Sequence, residues 1–438
     1  MASMKENSWC CVGSQLDLFS SPPVMITHEE SINAEIPSLI DNADGESPSP
    51  LRFSINTLHY VDLAATKLYL RGRLVMGDES EIHDTTAIAP ANMFLHAFIN
   101  NIDVMIGNNQ QKVMENNDLY PYKAAIETLV NFGNDAKGSM LQSILYYKDT
   151  AGKHDSMATD NTGYVARNAV VQGSKEFEVV GPLHIGLFFQ EKYLLSRTKV
   201  DIVVHRTKPN FYLDSTEINN KFMFKLSEAK LLVRYVDVVD SVALAHESAL
   251  AASNAKYAYN HIEMRRIPIT ANSVHFETIN LFTKRLPKKI IIVFLQTDSL
   301  QGTLNYNPFN FKHFKIQDLH LTLNGTKKIG FSKMDFEKGL YQISYMSLYD
   351  AMNKSFVDRG MDITYKDFGN GYSIFAFDLT PDSCGNTSKH METSEIGTVS
   401  VSGTFKEQIY SNVTCLVYAE FENLLEISRE RNAEVQSV

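Results

Sequence analysis

Apolar and polar residues alternate with a period of two through most of this chain, and that period predicts strands. Leu51-Arg-Phe-Ser-Ile55 alternates, and Thr66-Lys-Leu-Tyr-Leu-Arg-Gly-Arg-Leu-Val-Met76 alternates again with Leu68, Leu70 and Leu74 on one face. Phe177-Glu-Val-Val180, the stretch 182–189 and Lys199-Val-Asp-Ile-Val-Val-His205 continue the series, with Leu183, Ile185, Leu187, Phe189, Val200, Ile202 and Val204 facing inward. A second series opens at Phe222-Met-Phe-Lys-Leu226 and 230–236. It runs through 262–269, Lys289-Ile-Ile-Ile-Val-Phe-Leu295 and 372–379, and closes at 413–421. Within this second series the alanine-rich stretch 242–252 predicts a helix.

The two series echo each other. Ile102-Asp-Val-Met-Ile-Gly-Asn108 and Leu319-His-Leu-Thr-Leu-Asn-Gly325 are both alternating strands that run into a Gly/Asn turn, at a register of 217 (319 less 102). A helical face follows each: Tyr122, Ile126, Leu129 and Val130 in the first, Tyr341, Tyr345, Leu348 and Tyr349 in the second, at a register of 219 (341 less 122). Each half carries about eight strand candidates, the count of a jelly roll, with one helix inserted at the same place. The expected fold is therefore all-β: two tandem eight-stranded jelly-roll sandwiches with short inserted helices. The expected division is an N-terminal arm over 1–50, a first jelly roll over 51–212, a second over 213–430 and a tail over 431–438.

Punctuation marks the rest. Ser20-Ser-Pro-Pro23, Asp41-Asn-Ala-Asp-Gly45 and Ser47-Pro-Ser-Pro50 make the first 50 residues read as an extended or partly disordered arm. The Gly-, Asn- and Lys-rich region 133–174 reads as a large exposed loop, and 207–220 as a linker.

Composition narrows the function classes. Of 438 residues 11% are aromatic, and Val, Ile, Phe and Tyr are plentiful, which favours strands. The net charge of −10 lacks the basic surface that neutralises phosphates, so no direct sequence-specific contact with nucleic acid is expected. Cys10, Cys11, Cys384 and Cys415 lack zinc-ligand spacing and read as free thiols of a reducing compartment. The first residues have no signal-peptide core, and no stretch of about 18 apolar residues exists. The expectation is a chain that does not span a membrane and is not secreted by the usual route. Sequons at Asn324, Asn353, Asn386 and Asn412 are expected to be bare, and Asn324-Gly325 reads as a hairpin turn.

Catalytic signatures are missing: no phosphate loop, no nucleophile elbow, no His-Glu-x-x-His and no Cys-x-x-Cys. No catalytic, cofactor-binding or metal-ligating residue is assigned. His261-Ile-Glu263 offers two ligand types on one strand but no third. His184, beside Ile185, reads as a satisfied buried histidine, and Asp378 and Asp382 read as turn caps around Pro381. Phe309, Phe311 and Phe314 with Lys312 and His313 could stack single-stranded nucleic acid. One cluster without basic flanks reads better as a packed loop or a subunit contact.

Seven ordered segments resemble a known family: Leu16-Asp-Leu-Phe-Ser20, Asp118-Leu-Tyr-Pro-Tyr-Lys-Ala-Ala-Ile-Glu-Thr-Leu129, Ser143-Ile-Leu-Tyr-Tyr-Lys-Asp-Thr-Ala-Gly152, Gly181-Pro-Leu-His-Ile-Gly-Leu-Phe-Phe-Gln-Glu-Lys192, Asn307-Pro-Phe-Asn-Phe-Lys-His313, Asn370-Gly-Tyr-Ser-Ile-Phe-Ala-Phe-Asp-Leu-Thr-Pro381 and Val417-Tyr-Ala-Glu-Phe-Glu-Asn-Leu-Leu-Glu-Ile427. They resemble the major capsid protein of Polinton (Maverick) elements and adintoviruses. Gly186 departs from the pattern, which carries an acidic residue there. The resemblance implies a hexon-like double jelly-roll protein of the virion, made in the host cytoplasm. It would form a homotrimer, a pseudo-hexameric capsomer that meets neighbouring capsomers, penton and minor capsid proteins in an icosahedral shell. Loops 133–174 and 296–316 would then supply contacts between subunits. The alternative weighed is a jelly-roll glycan-releasing amidase, which would place acidic residues between its sandwiches and would normally be secreted.

Overall fold

The computed structural model describes residues 18, 21, 24–39, 49–113, 118–358, 360–383, 385, 390–391 and 395–437. Cys10, Cys11, Cys384, Asn386 and most of the segment beginning at Leu16 lie outside the described residues. In chain order the strands are β1 (His28–Pro37), β2 (Leu51–Ile55), β3 (Tyr60–Met76), β4 (Ile88–Pro90), β5 (Ile99–Ile106), β6 (Gln111–Lys112), β7 (Glu176–Pro182), β8 (Val200–Arg206), β9 (Leu213–Ser215) and β10 (Phe222–Val238). They continue with β11 (Ala255–Ile269), β12 (His275–Phe282), β13 (Lys289–Gln296), β14 (Ile316–Leu323), β15 (Lys327–Phe331), β16 (Ile374–Asp378), β17 (Val399–Phe405), β18 (Val413–Ile427) and β19 (Ala433–Ser437).

Four sheets carry the architecture: β1-β10-β3-β7 with β2-β8-β5-β6, then β11-β18-β13-β16 with β12-β17-β14-β15. Setting aside the short pair β4-β9 and the added β19, each half has eight strands. Ranked within its half, each first sheet runs 1-8-3-6 and each second sheet 2-7-4-5. The two halves therefore share one jelly-roll strand order, and the chain is a double jelly roll. The repeated hairpins are β5-β6 and β14-β15, in the same position of equivalent sheets. Asn324 and Gly325 both take positive φ, 52° and 71°, as the central residues of the tight turn that the Thr326 N–H closes on the Leu323 carbonyl at 3.1 Å. Both expected helices are present, as Tyr120–Asn131 and Gln342–Ala351.

Strand pairing redraws the divisions read from periodicity. β10, assigned by sequence to the second half, lies between β1 and β3 and is the eighth strand of the first jelly roll. The link between the two units is the helix Asp240–Leu250. The equivalent of β18 is thus β10, while β8 matches β17. β1 draws the expected arm into the first sheet as a largely exposed edge strand. The expected linker 207–220 is an integral crossover: the short helix Pro209–Tyr212 buries Phe211 and Tyr212, and β9 pairs with β4. The strand expected over 182–189 stops at Pro182, and Gly186–Phe189 forms a single 3-10 turn. The tail adds β19 beside β18 and docks onto the β5-β6 turn, where Asn109 exchanges two hydrogen bonds of 2.8 and 2.9 Å with the Ala433 backbone.

The inner part of the sheet β11-β18-β13-β16 is covered on both sides, while β11 keeps an exposed face. Every residue of β13 from Lys289 to Leu295 is buried, as is every residue of β18 from Val413 to Phe421. One side faces the core of its own jelly roll, and the other faces the first. This explains why Lys289-Ile-Ile-Ile-Val-Phe-Leu295 is continuously apolar after its lysine, whereas β3 alternates.

At the junction Gly186 meets the Asn260 carbonyl so closely that a Cβ would stand 1.7 Å from that oxygen. The departure from the family pattern is thus a contact between jelly rolls that has no room for a side chain. Gly186→Ala should cost about 1–3 kcal/mol through overpacking. Gly360→Ala, where a Cβ meets nothing within 4 Å, should be close to neutral. Chemical denaturation of both variants checks this, and equal effects would mean the junction yields freely.

Candidate functional site

The seam between the jelly rolls concentrates the buried chemistry of the molecule. The helix Tyr120–Asn131 runs through it and is buried from Tyr120 to Val130, polar residues included. An ordinary surface helix would leave one face to water; this one has a sheet of the second jelly roll there. Lys123 and Glu127, one turn apart, are 3.9 Å from each other. Lys123 donates to the His184 carbonyl at 2.6 Å. Glu127 binds His184 Nδ1 at 2.6 Å and accepts from the Tyr418 hydroxyl of β18 at 3.2 Å. Tyr120 accepts from the His184 backbone N–H at 3.1 Å and lies 3.3 Å from His96 Nδ1.

Electrostatics follow from this packing. Burial pushes the Lys123 amine down, against the attraction of Glu127 and Glu420. For Glu127 burial acts upward, but the Lys123 charge and the hydrogen bonds from His184 and Tyr418 outweigh it and hold the carboxyl below its usual value. Burial, with His184 adding to it, pushes His96 well below the ordinary imidazole range. On the facing sheet Glu420 lies between Lys288 at 3.2 Å and Lys289 at 2.8 Å, and Glu422 is 3.2 Å from Lys288. A cavity of about 440 Å³ opens between these groups, with Glu127, His184, Lys289, Tyr418 and Glu420 among its polar lining and Phe132, Phe189 and Met352 among the apolar.

A second polar clasp sits where the loops meet. Arg167 is fully buried; its guanidinium reaches Asp149 at 2.9 Å, Asp214 at 3.6 Å, and the carbonyls of Pro90 and Tyr147 at 2.8 and 3.0 Å. Asp149 also accepts from the Asn307 amide at 3.1 Å, and its carbonyl accepts from the Tyr372 hydroxyl at 3.2 Å. Asp155 takes the Asn307 N–H, the Asn310 amide and the Lys312 ammonium at 2.8–3.1 Å. Lys148 pairs with Asp362 and Asp367, and Lys137 donates to the carbonyls of Leu129 and Met361. Burial lowers Lys137 to about 7 and raises Asp214 to about 7, although Arg167 opposes the second shift.

The region 133–174, expected to be a large exposed loop, is in part internal. This region holds the helix Thr162–Val171, and Leu141, Ile144, Tyr146, Asp149 and His154 are buried. It grips 303–312 of the other jelly roll. The aromatic cluster is likewise internal: Phe311 is buried, and Phe309 packs edge-on against Tyr122 at 5.9 Å, so those rings offer no stacking surface to a nucleic acid. His313 stacks on Phe336 at 4.1 Å.

The other singled-out residues have structural partners too. His184 is buried and satisfied by Glu127, as expected. Asp378 caps its turn by accepting from Thr380 N–H at 2.9 Å and Gly385 N–H at 3.2 Å; Asp382 lies 3.4 Å from His390 instead of beside Asp378. His261 and Glu263 are 4.0 Å apart, Glu263 pairs with Arg265 at 3.0 Å, and no group of three metal-ligand residues occurs among the described residues. No helix among the described residues is long and apolar enough to cross a membrane. Sequence reasoning missed Glu127, Asp149, Arg167, Asp214 and Lys137. Only Lys123 and Glu127 carried a signal, as an i,i+4 pair inside an otherwise apolar helix.

The architecture has counterparts among solved structures. A chain of the Sputnik virophage covers 100% of this chain and 94% of its own at a TM-score of 0.65 and 14% identity. The mavirus major capsid protein covers 100% and 97% at 0.54 and 12%, and a chain of the PBCV-1 virus capsid covers 96% and 99% at 0.59 and 10%. In sequence, an uncharacterised protein of Caenorhabditis elegans is 24% identical over 408 residues, 90% of this chain and 94% of that one. No family model matches the chain. The solved structures show the same double jelly-roll fold end to end.

Two outcomes follow for the Arg167 clasp. A carboxyl that holds its proton to about pH 7 when folded and to about pH 4 when unfolded contributes stability that is complete below about pH 4 and is lost as pH rises through about 7. Asp214→Asn should therefore gain stability relative to the parent chain between pH 5 and pH 8, read from urea melts at both; a constant difference would assign the effect elsewhere. Arg167→Ala strands Asp149 without its counter-charge and should cost about 3–5 kcal/mol, seen as loss of cooperative folding.

Proposed function

We propose that the chain is the major capsid protein of a Polinton-type, adintovirus-like element. Three copies form a pseudo-hexameric capsomer, because two like lobes in each of three chains give six. The observation that carries this reading is the pair of jelly rolls with one strand order, fixed side by side by a buried seam. A capsomer needs such a body, since a hinge between lobes would blur the hexagonal outline on which shell packing depends. Likeness along the whole length to capsid proteins of virophages and large viruses supports it. A relative in a nematode alongside that virion-type fold supports the narrower assignment to an element that resides in animal genomes.

In this reading the working surfaces are the outer ones. The first jelly roll runs from β1 through β10 and the second from β11 through β19, with Asp240–Leu250 as their connection. Trimer contacts lie on outward faces, to which 133–174 also contributes exposed apolar residues such as Met140 and Val165. Exposed apolar side chains such as Ile343, Phe356 and Tyr410 are available there. Contacts within an obligate trimer are expected to bury about 2,000 Å² or more and to be fairly apolar, and those between capsomers to be smaller and more polar. Penton and minor capsid proteins complete the shell, the protein is made in the host cytoplasm, and its place is the virion. The junction carboxylates Glu127, Glu420 and Glu422 are all engaged by side chains of this chain, which favours a structural use over glycan hydrolysis.

The purified protein should sediment as a trimer at micromolar concentration and show hexagonal capsomers or shells in negative stain. A clean monomer with no particles overturns the proposal.

A further inference from the structure

One cluster on the second jelly roll brings together an amine, a carboxamide and two carboxylates from three neighbouring strands. Lys288, the residue before β13, has its ammonium 2.9 Å from Asn260 Oδ1 on β11. Glu422 and Glu420, on the intervening β18, each approach the same ammonium at 3.2 Å. Asn260 and Glu422 are directly paired across β11 and β18, and Lys289 and Glu420 across β13 and β18. Lys288 is 7% exposed and Glu420 4%, whereas Asn260 is exposed. The backbone holds Lys288 from both sides, through its N–H to Glu420 O at 2.8 Å and its carbonyl to Leu379 N–H at 2.9 Å.

A simple ion pair needs no carboxamide. Here the amide carbonyl faces the amine, because an ammonium has only donors to offer, and the residue that carries it is exposed. That places a nucleophile against an acyl carbon, with a carboxylate to carry protons and an open path for the leaving group. We propose that Lys288 and Asn260 form an intramolecular isopeptide bond. Glu422 takes a proton from the Lys288 ammonium, and the freed amine attacks Asn260 Cγ to form the new C–N bond. The Cγ–Nδ2 bond then breaks as Glu422 returns the proton to the departing nitrogen. The amine's second proton leaves with that nitrogen, so ammonium is released and one amide replaces another. No oxidant, reductant or metal is required. Glu420, anchored by Lys289 at 2.8 Å, positions the Lys288 amine without exchanging protons with it.

The product ties β11 to β13 across β18 and closes the chain between 260 and 288 into a covalent loop, which restricts the unfolded state. It forms within one chain and does not depend on shell assembly.

Intact mass spectrometry of the full-length protein tests this. The expected mass is one ammonia below that of the sequence, and tandem spectra of a digest should show a branched peptide joining the segments around Lys288 and Asn260. Lys288→Arg retains the charge toward Glu420 and Glu422, and Asn260→Ala leaves all charges in place. Both should show the full mass of their sequences and melt at a lower temperature than the parent chain. Glu422→Gln should fold yet remain unlinked, or link slowly over days. Full sequence mass in the folded parent chain, with no branched peptide, overturns the proposal and leaves a charge-assisted hydrogen bond. A mass deficit that persists in Asn260→Ala overturns it equally, since the ammonia would then come from another residue.

Discussion

Burial of β13, β16 and the first part of β18 on both faces of their sheet is the constraint from which the rest of the molecule follows. A jelly roll alone can leave the outer face of each sheet to water, and such strands alternate. Here the outer face of one sheet is covered by the first jelly roll, so β13 is apolar from Ile290 to Leu295 and β18 is buried without a break from Val413 to Phe421. Neither lobe can be removed without exposing this face. The duplication is thus a single body with two cores in continuous contact, rather than two beads on a string.

Covering a sheet with another domain also buries whatever polar groups it carries, and each must then find a partner. Lys123, Glu127, His184 and Tyr418 satisfy one another across the seam, and Arg167 gathers Asp149, Asp214 and two carbonyls at the clasp. Such groups contribute little net stability compared with apolar residues of equal volume. Their value is directional. An apolar seam could slide, whereas Asp149 and Asp155 of the first lobe, bonded to Asn307, Asn310, Lys312 and Tyr372 of the second, favour one alignment. Gly186 against the Asn260 carbonyl brings the lobes into close approach, and Arg167 holds Asp149 in place within the first lobe for its bonds to the second.

The elements were legible in the sequence because their periodicities are local. Ile102–Gly107 and Leu319–Asn324 announced equivalent hairpins, and the spacings from Tyr122 and Tyr341 announced equivalent helices. Partnership was not legible. β10 alternates as any strand does, and nothing within Phe222–Val238 says that it pairs backward with Tyr60–Met76 and not forward. The region 133–174 looked exposed because Lys137, Lys148, Asp149 and Arg167 are charged, and composition alone does not show that their counter-charges and carbonyls arrive from residues up to 224 positions away. The buried histidine and the turn-capping Asp378 were legible, since a residue such as His184 inside an apolar run has few other uses.

The docking of β19 bears on the order in which this molecule can be made. Ala433 and Arg431 follow every other core element in the chain, yet they fasten onto the Asn108 and Asn109 turn of the first jelly roll and onto Ser196. The first lobe has all eight strands once residue 238 has left the ribosome. It must then wait through almost 200 further residues, with its seam face uncovered, for the partner that hides it. Nascent chains are therefore sticky along the surface that the finished protein conceals until β11 to β18 cover it, and β19 then latches the second lobe onto the first.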